Sequence, residues 1–336
     1  MLARSLLNLR TVNRVLVRAT SFRATSFAQL EARAKKVPWE RWVSPGGAVR
    51  FRVTCRKSRL YHSDAVAERL AGVLTGGVPG ARIVASAVDD DDAALPAQLF
   101  VVRMADDVCT ISADAAGAPM HKRGYRLAVA KAPLRETLAA AMLLGAEWTG
   151  AAALVDPLCG SGTIPIEGAL IARHIAPGLS RAFAAESWPC ADSAAWRAER
   201  GRAAAAVCPA AAAPIEGSDR DEGAIQAATD NARAAGVEND VVFRVAAVSA
   251  VRSPAPRGLL ATNPPYGVRT GDRATLRDLY ARLGRVIRDE FPEWRCAILS
   301  ADRSRGHELE RQLRLPVRPV WRTTNGGIPV RLLVGP

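Results

Sequence analysis

The spacing of apolar residues changes along the chain and divides it into two parts. Residues 48–54, 98–104 and 108–114 alternate apolar and polar side chains, as half-buried strands do, and an amphipathic helix is predicted to start near Ser63. Beyond about residue 126, short apolar runs alternate with helical segments. The pattern predicts an α+β front region followed by an α/β domain with a doubly wound, largely parallel sheet.

Composition favours a globular protein of more than one domain. The chain has 336 residues, 49% of them apolar, which exceeds a typical single domain. No run reaches the roughly 18 apolar residues that a membrane span needs, so no membrane partner is expected. The six cysteines form no Cys-x-x-Cys pair, which predicts reduced thiols, a cytoplasmic location and no metal. The Ala-, Arg- and Pro-rich stretch 177–214 is predicted to be an insertion in the sheet domain.

Positive charge is concentrated at the front of the chain. Of the net charge of +13, residues 1–60 carry +12 and the remainder +1. This segregation predicts a basic module that contacts phosphates, joined to a near-neutral domain. A solvated Arg-rich surface is the alternative. The first 30 residues are also rich in Arg and Ser and lack acidic residues, so an organellar transit peptide is a minority alternative to the cytoplasmic location.

A glycine-rich turn follows the apolar run 152–155 and opens a helix. Glycines in such a turn permit positive φ angles and close approach of a ligand. The turn lacks the G-x-G-x-x-G pattern of dinucleotide sites and the Gly-Lys-Ser/Thr of phosphate loops, so a sulfonium cofactor, S-adenosylmethionine, fits better. A carboxylate at the strand end would accept from its ammonium group. The loop residues expected at the cofactor are Asp156, Leu158, Gly160, Ser161, Gly162 and Thr163.

Two further strand ends carry candidate chemistry. Asp219 ends the next predicted strand and is expected to hydrogen-bond the ribose hydroxyls of the cofactor. The run 259–261 leads into Asn263-Pro264-Pro265-Tyr266. The Asn side chain and the first Pro carbonyl offer two acceptors for the hydrogens of an exocyclic amine, and the tyrosine offers a face for a flipped base. A rigid turn is the alternative interpretation of this tetrapeptide.

With these motifs in place, nearly the whole sequence resembles the THUMP-domain class I RNA methyltransferases that form N2-methylguanosine, especially the bacterial 23S ribosomal RNA type. The resemblance is carried by DPLCGSGTIPIEGAL (156–170), IEGSDRD (215–221), NARAAGV (231–237), TNPPYG (262–267), NGGIPVRLL (325–333), LRTVNRVLVR (9–18), KKVPWERW (35–42), SRLYHSDAVAERL (58–70) and HKRGYRLAVAKAPLRETLAAAML (121–143). It implies a Rossmann-like methyltransferase domain preceded by an α+β THUMP/ferredoxin-like RNA-binding region.

The resemblance also implies domains and residue roles. It predicts a partial ferredoxin-like region over 1–45 that lacks the first strand and helix, a THUMP-like domain over 46–125 and a catalytic domain over 126–336. Thr137 is placed near the methionine end of the cofactor. The RNA-binding candidates are Arg56, Lys57, Arg59 and His62, with Lys122, Arg123 and Arg126 at the junction. The implied target is a guanine N2 in 23S ribosomal RNA; a tRNA guanine methylase and an RNA-binding protein with a decayed cofactor site are the alternatives.

One position departs from the family pattern. The family places an Asp that reads the adenine amino group after the strand matching Val241 to Val245, and Ala247 stands there in this chain. Either Ser249 or a backbone carbonyl takes over this contact, or the affinity for the cofactor is lower.

Overall fold

The computed structural model describes residues 1–84, 97–126, 134–266 and 273–336. Gly267 and residues 127–133, which belong to segments carrying the family resemblance, lie outside the described residues. The strands are β1 (Leu16–Arg23), β2 (Ala48–Arg56), β3 (Arg82–Ile83), β4 (Gln98–Ala105), β5 (Val108–Asp114), β6 (Ala153–Asp156), β7 (Ile215–Asp219), β8 (Val242–Val245), β9 (Gly258–Thr262), β10 (Arg295–Ala301), β11 (Arg318–Asn325) and β12 (Ile328–Gly335). The helices are α1 (Leu2–Asn8), α2 (Phe27–Ala34), α3 (Ser63–Gly77), α4 (Glu136–Gly145), α5 (Thr163–Ala172), α6 (Ser193–Ala205), α7 (Glu222–Ala234), α8 (Arg273–Glu290) and α9 (Ser304–Leu313).

The chain divides into two compact units. The first comprises Met1–Met120 and Arg181–Gly201, and the second His121–Ser180 and Arg202–Pro336. The domain boundaries drawn from the sequence remain predictions.

The first unit is built on a five-stranded mixed sheet in the order β1-β5-β4-β2-β3. β5 pairs antiparallel with both β1 and β4, whereas β2 is parallel to β4 and β3. Val66, Leu70 and Leu74 of α3 recur every four residues and are fully buried, which is the apolar stripe of an amphipathic helix. The Trp39 ring packs edge-on against Phe100 in the same core, with centroids 5.0 Å apart. The predicted α+β front region is thus confirmed.

Residues 181–201 belong to a different unit from the one that the sequence analysis expects. The Ala-rich stretch was predicted to be inserted in the sheet domain, but this part of it packs in the core of the first unit. The physical reason lies in three buried aromatic side chains, Phe183, Trp188 and Trp196, which supply the apolar area that the surrounding alanines lack. The Trp188 indole N–H also donates to Gln98 Oε1 at 2.6 Å, which fixes the segment against β4.

The second unit contains a seven-stranded sheet in the order β11-β12-β10-β9-β6-β7-β8. All pairings from β10 to β8 are parallel, so the predicted doubly wound sheet is confirmed. β12 is antiparallel to both of its neighbours, which the sequence analysis did not predict. The strand order reverses at β6, which has β9 on one side and β7 on the other. In such sheets ligands bind at the carboxyl ends of the strands beside the reversal.

Helix α5 fixes the loop that follows β6. Its residues from Thr163 to Ile171 are all buried. A Cβ on Gly168 would lie 2.4 Å from Leu154 Cδ2, so a larger residue there would force the buried Leu154 side chain to shift. The loop between β6 and α5 is therefore held at both ends. Among the described residues, no helix is both long and apolar enough to cross a membrane.

Candidate cofactor and target site

Asp156 ends β6 beneath the glycine-rich loop. The residue is 1% exposed, and its Oδ1 accepts the Leu158 N–H at 3.1 Å. Burial raises the pKa of Asp156 to about 7, although hydrogen bonds from the Thr262 hydroxyl and the Leu158 amide act in the opposite direction. A buried carboxylate with so few partners fits a cationic ligand, because an ammonium group would favour its charged form.

Asp219 connects the end of β7 to the same loop. Its Oδ2 accepts the Gly160 N–H and its Oδ1 accepts the Asp221 N–H, both at 3.1 Å. An ionised carboxylate has about four acceptor positions, so two remain for the pair of hydroxyls expected here. The Cys159 N–H donates to the Ser218 carbonyl at 2.9 Å and strengthens the connection between loop and strand.

The two predicted loop glycines have different structural reasons. Gly160 has a φ of +51°, and among the described residues no atom other than those of Gly160 and its two chain neighbours lies within 4 Å of where its Cβ would be, so there is space for a ligand. Gly162 has a φ of +81°, and its Cβ would lie 2.9 Å from the Ala228 Cβ, so it is required for packing as well. The buried Asn231 side chain donates to the Ser161 carbonyl at 3.1 Å. Only the resemblance of the NARAAGV segment pointed to this loop-supporting residue.

The Asn-Pro-Pro-Tyr segment leaves the carboxyl end of β9, next to β6. Pro264 is buried, Pro265 is exposed and Tyr266 is partly buried. The Tyr266 hydroxyl donates to Asn263 Oδ1 at 2.5 Å and accepts from Asn325 Nδ2 at 3.4 Å. Burial raises the pKa of Tyr266, so the phenol stays protonated and able to donate. Asn325, at the end of β11, was not among the predicted site residues, although it opens the NGGIPVRLL segment.

The junction residues lie mostly in the interior of the second unit. Arg123 is 4% exposed and pairs with the buried Glu167 at 3.5 Å, and the Tyr125 hydroxyl donates to the same carboxylate at 3.2 Å. The guanidinium of Arg126 pairs with Glu136 at 2.9 Å. Arg123 is thus buried and Arg126 partly buried, each in an ion pair, whereas Lys122 is exposed; the RNA-binding role of the three residues remains a prediction.

Thr137, the predicted contact to the methionine end, is the second residue of α4 and is 5% exposed. Its neighbour Glu136 is joined through Arg126 to Thr163, because Arg126 Nη2 donates to the Thr163 hydroxyl at 3.0 Å. The start of α4 is therefore tied to the start of α5, directly after the glycine-rich loop. The role of Thr137 remains a prediction.

The four other RNA-binding candidates lie together in the first unit. Arg56, Lys57 and Arg59 are exposed around the end of β2, and His62 is the exposed residue preceding α3. The loop is held by the Arg59 backbone N–H, which donates to Asp107 Oδ1 at 2.8 Å. Tyr61, which was not predicted, is 68% exposed and its ring centroid lies 4.1 Å from that of His62. An exposed aromatic pair among basic residues is typical of a surface for unpaired bases.

Ala247 occupies the position of the expected adenine-reading acid. Ala247 is exposed after β8, and its carbonyl accepts the Ala250 N–H at 2.8 Å. Ser249 is also exposed, and its carbonyl accepts from Arg252 Nη1 at 3.1 Å. Each of these carbonyls keeps a second lone pair, so a contact through Ser249, a contact through a backbone carbonyl and a lower affinity for the cofactor stay the alternatives.

Comparison with known proteins places these strand ends in a family context. The model of the UPF0020 family, described as an RMKL-like methyltransferase domain, matches residues 123–325. The chain belongs to this family. Among relatives, an RNA methyltransferase by designation from Synechocystis sp. is 32% identical, with 96% of this chain and 83% of the relative covered. The ribosomal RNA large subunit methyltransferase K/L of Syntrophotalea carbinolica is 34% identical over 96% of this chain, which spans only 46% of that protein.

A solved structure supports both the fold and the cofactor of this UPF0020 member. SMU.472, described as a methyltransferase and crystallised with SAH, is 28% identical, with a TM-score of 0.84 over 99% of this chain and 86% of that one. The Rossmann-like fold is thus confirmed. SAH is S-adenosylmethionine without its methyl group, so the predicted cofactor is confirmed for the family. Asp156, Asp219 and the open space at Gly160 fit this cofactor.

Proposed function

We propose that this UPF0020 member transfers a methyl group from S-adenosylmethionine to the exocyclic N2 of a guanine in 23S ribosomal RNA. The observation that carries the proposal is the placement of Asn263 after β9, next to Asp156 at the end of β6, since these strands are paired neighbours. The carboxylate proposed to bind the cofactor and the acceptor proposed to bind the target amine thus lie at the same edge of the sheet, where these parallel strands end. The names of the Synechocystis and Syntrophotalea relatives support RNA as the substrate.

On the cofactor side, the chain contributes two carboxylates and a loop that is already in position. S-adenosylmethionine supplies an electrophilic methyl group. Asp156 binds the ammonium group, and its burial strengthens this contact because water competes little there. Asp219 accepts from the ribose hydroxyls while holding the loop through Gly160. The loop is positioned before the ligand arrives, which lowers the entropic cost of binding.

On the substrate side, Asn263 and Pro264 orient the target amine. An exocyclic amine conjugated to a purine is a weak nucleophile, so its nitrogen must be aimed at the methyl carbon. Asn263 Oδ1 and the Pro264 carbonyl each accept one N–H. The amide oxygen has two lone pairs, so it accepts the substrate N–H while keeping the Tyr266 hydroxyl. The face of Tyr266 stacks on the flipped base.

The first unit supplies the proposed RNA-binding residues. Arg56, Lys57, Arg59 and His62 contact phosphates, and the net positive charge of residues 1–60 favours association with the polyanion. Tyr61 provides a stacking face for an unpaired nucleotide.

Transfer of tritiated methyl from labelled S-adenosylmethionine to unmethylated ribosomal RNA and to tRNA, followed by nucleoside analysis, tests the proposal. We expect label in N2-methylguanosine from ribosomal RNA. Label in tRNA alone would favour a tRNA guanine methylase, and label in N6-methyladenosine would overturn the base assignment. No transfer together with no SAH binding would favour an RNA-binding protein with a decayed cofactor site, an alternative motivated by Ala247.

A further inference from the structure

The guanidinium of Arg126 has one buried nitrogen, Nη1, with no acceptor in the part of the chain that the structure describes. Its Nε donates to Glu136 Oε1 at 2.9 Å, and its Nη2 donates to the Leu134 carbonyl at 2.8 Å and to the Thr163 hydroxyl at 3.0 Å. Nη1 is buried without an acceptor among the residues that the structure describes. A buried donor without a partner is costly, and in native proteins such groups commonly serve a ligand or strain-storing role.

The unused donor lies beside the glycine-rich loop. Thr163, which Nη2 contacts, directly follows Gly162, and Asp156 precedes the same loop at its other end. Glu136, the ion-pair partner, is adjacent to Thr137 at the start of α4. Arg126 therefore contacts the two segments expected to surround the methionine end of the cofactor.

The chemistry of that end requires a partner for an anion as well as for a cation. It carries an ammonium and a carboxylate on one carbon, and Asp156 matches only the ammonium. A guanidinium has five N–H donors and binds two carboxylates through different edges, so Arg126 can keep Glu136 while accepting a second anion. Glu136 also compensates the charge of Arg126 when no ligand is bound.

We propose that Arg126 is a cofactor-binding residue whose Nη1 donates to the carboxylate of S-adenosylmethionine. This inference rests on the proposed function, since it assumes the same cofactor. It replaces the RNA-binding role that the sequence suggested for Arg126. The side chain also positions the loop through Thr163, so the test must separate ligand contact from loop support.

Calorimetric titration of the full chain with two ligands makes this separation. SAH carries the carboxylate, whereas decarboxylated SAH keeps the ammonium, thioether, ribose and adenine but lacks it. In Arg126→Met we expect the affinity for SAH to fall about 10- to 100-fold, and the affinity for the decarboxylated ligand to change by less than about twofold. Arg126→Lys, which keeps the charge, should recover part of the loss for SAH.

Arg173→Met is the matched control. Arg173 is similarly enclosed in the second unit, pairs with Asp240 at 3.1 Å and donates to the Cys208 and Gly236 carbonyls at 2.9 Å, and none of these partners belongs to the glycine-rich loop. We expect this variant to bind both ligands as the wild type does.

Two outcomes would overturn the inference while leaving the proposed function intact. An equal loss for both ligands would assign Arg126 a purely structural role, and unchanged SAH affinity would exclude the contact. If Arg126→Met does not fold, the ratio of the two affinities in Arg126→Lys decides, since an unchanged ratio also contradicts the contact. A wild-type protein that binds neither ligand would overturn the proposed function and this inference with it.

Discussion

The Tyr266 hydroxyl donates to Asn263 Oδ1 at 2.5 Å, so the first and last residues of the Asn-Pro-Pro-Tyr segment are joined by their side chains. The two intervening prolines lack backbone donors and restrict φ, which stiffens the bridge. Asn325 Nδ2 reaches the same hydroxyl at 3.4 Å and fixes its orientation from β11. The acceptor face of Asn263 is therefore oriented before any substrate arrives.

Tyr266→Phe should lower kcat by about tenfold with little change in KM for RNA, because the ring still stacks but Asn263 loses its orienting donor. Tyr266→Ala should lower kcat further and also raise KM, since the stacking face is lost. Single-turnover methyl transfer measures both. Equal effects of the two substitutions would contradict a separate role for the hydroxyl.

Asn263→Ala should reduce methyl transfer by at least about 100-fold, since the target amine loses a fixed acceptor in the transition state. RNA affinity, measured by fluorescence anisotropy, should stay within about twofold of wild type. SAH affinity, measured by calorimetry, should also be retained. An active Asn263→Ala protein would contradict the mechanism.

Cofactor affinity should depend on pH through Asp156, whose pKa is raised to about 7. The ammonium group binds the ionised carboxylate. Below that pKa the Asp156 carboxyl is mostly protonated, so it must lose its proton when the cofactor binds. Lowering the pH from about 7.5 to about 5.5 should weaken SAH binding about 20-fold. Asp156→Asn should bind weakly with a much flatter profile. An unchanged affinity of the wild type across this range would exclude Asp156 as the ammonium partner.

The free energy of unfolding should also depend on pH through Asp156, but in the opposite direction to the cofactor affinity. The folded pKa of Asp156 exceeds its ordinary value of 3.8, so the folded state holds the proton more tightly than the unfolded state. Its contribution to the free energy of unfolding is therefore most favourable below about pH 4 and declines as the pH rises towards about 7. Weaker SAH binding at about pH 5.5 therefore cannot arise from unfolding driven by Asp156. Urea denaturation of wild type and Asp156→Asn across the range checks the sign.

The sequence was sufficient for the parallel part of the sheet in the second unit, because short apolar runs that alternate with helical segments mark it locally, but it did not predict the antiparallel β12. It did not predict the contacts that depend on distant residues. The ion pairs of Arg123 with Glu167 and of Arg126 with Glu136 are such contacts. Likewise, the sequence did not predict that Phe183, Trp188 and Trp196, which stand among alanines, pack in the core of the first unit.

Ala247→Asp should raise the affinity for SAH by about tenfold. The position is exposed directly after β8, so a carboxylate there is accommodated without burying charge and can accept from the adenine amino group. Calorimetry with SAH and with its inosine counterpart, which lacks that amino group, measures the gain. An equal gain for both ligands would show that the new acid does not read the amine.

Substitutions in the basic loop after β2 should distinguish the electrostatic contribution to RNA binding from the stacking contribution. The slope of log affinity against log salt is negative for a protein that contacts phosphates. Replacing Lys57 and Arg59 by Ala together should reduce the magnitude of this slope by about 1.4, since each substitution removes one phosphate contact. The exposed Arg257 of the second unit, replaced by Ala, is the matched control and should leave the slope unchanged.

Tyr61→Ala should behave differently from the charge variants. Its ring is 68% exposed beside His62, so its loss removes a stacking face but no charge. We expect affinity for RNA with unpaired nucleotides to fall about tenfold at every salt concentration, with an unchanged slope and little effect on fully paired RNA. Tyr61→Phe, which keeps the face, should bind as the wild type does. A loss in Tyr61→Phe equal to that in Tyr61→Ala would assign the contact to the hydroxyl instead of the ring.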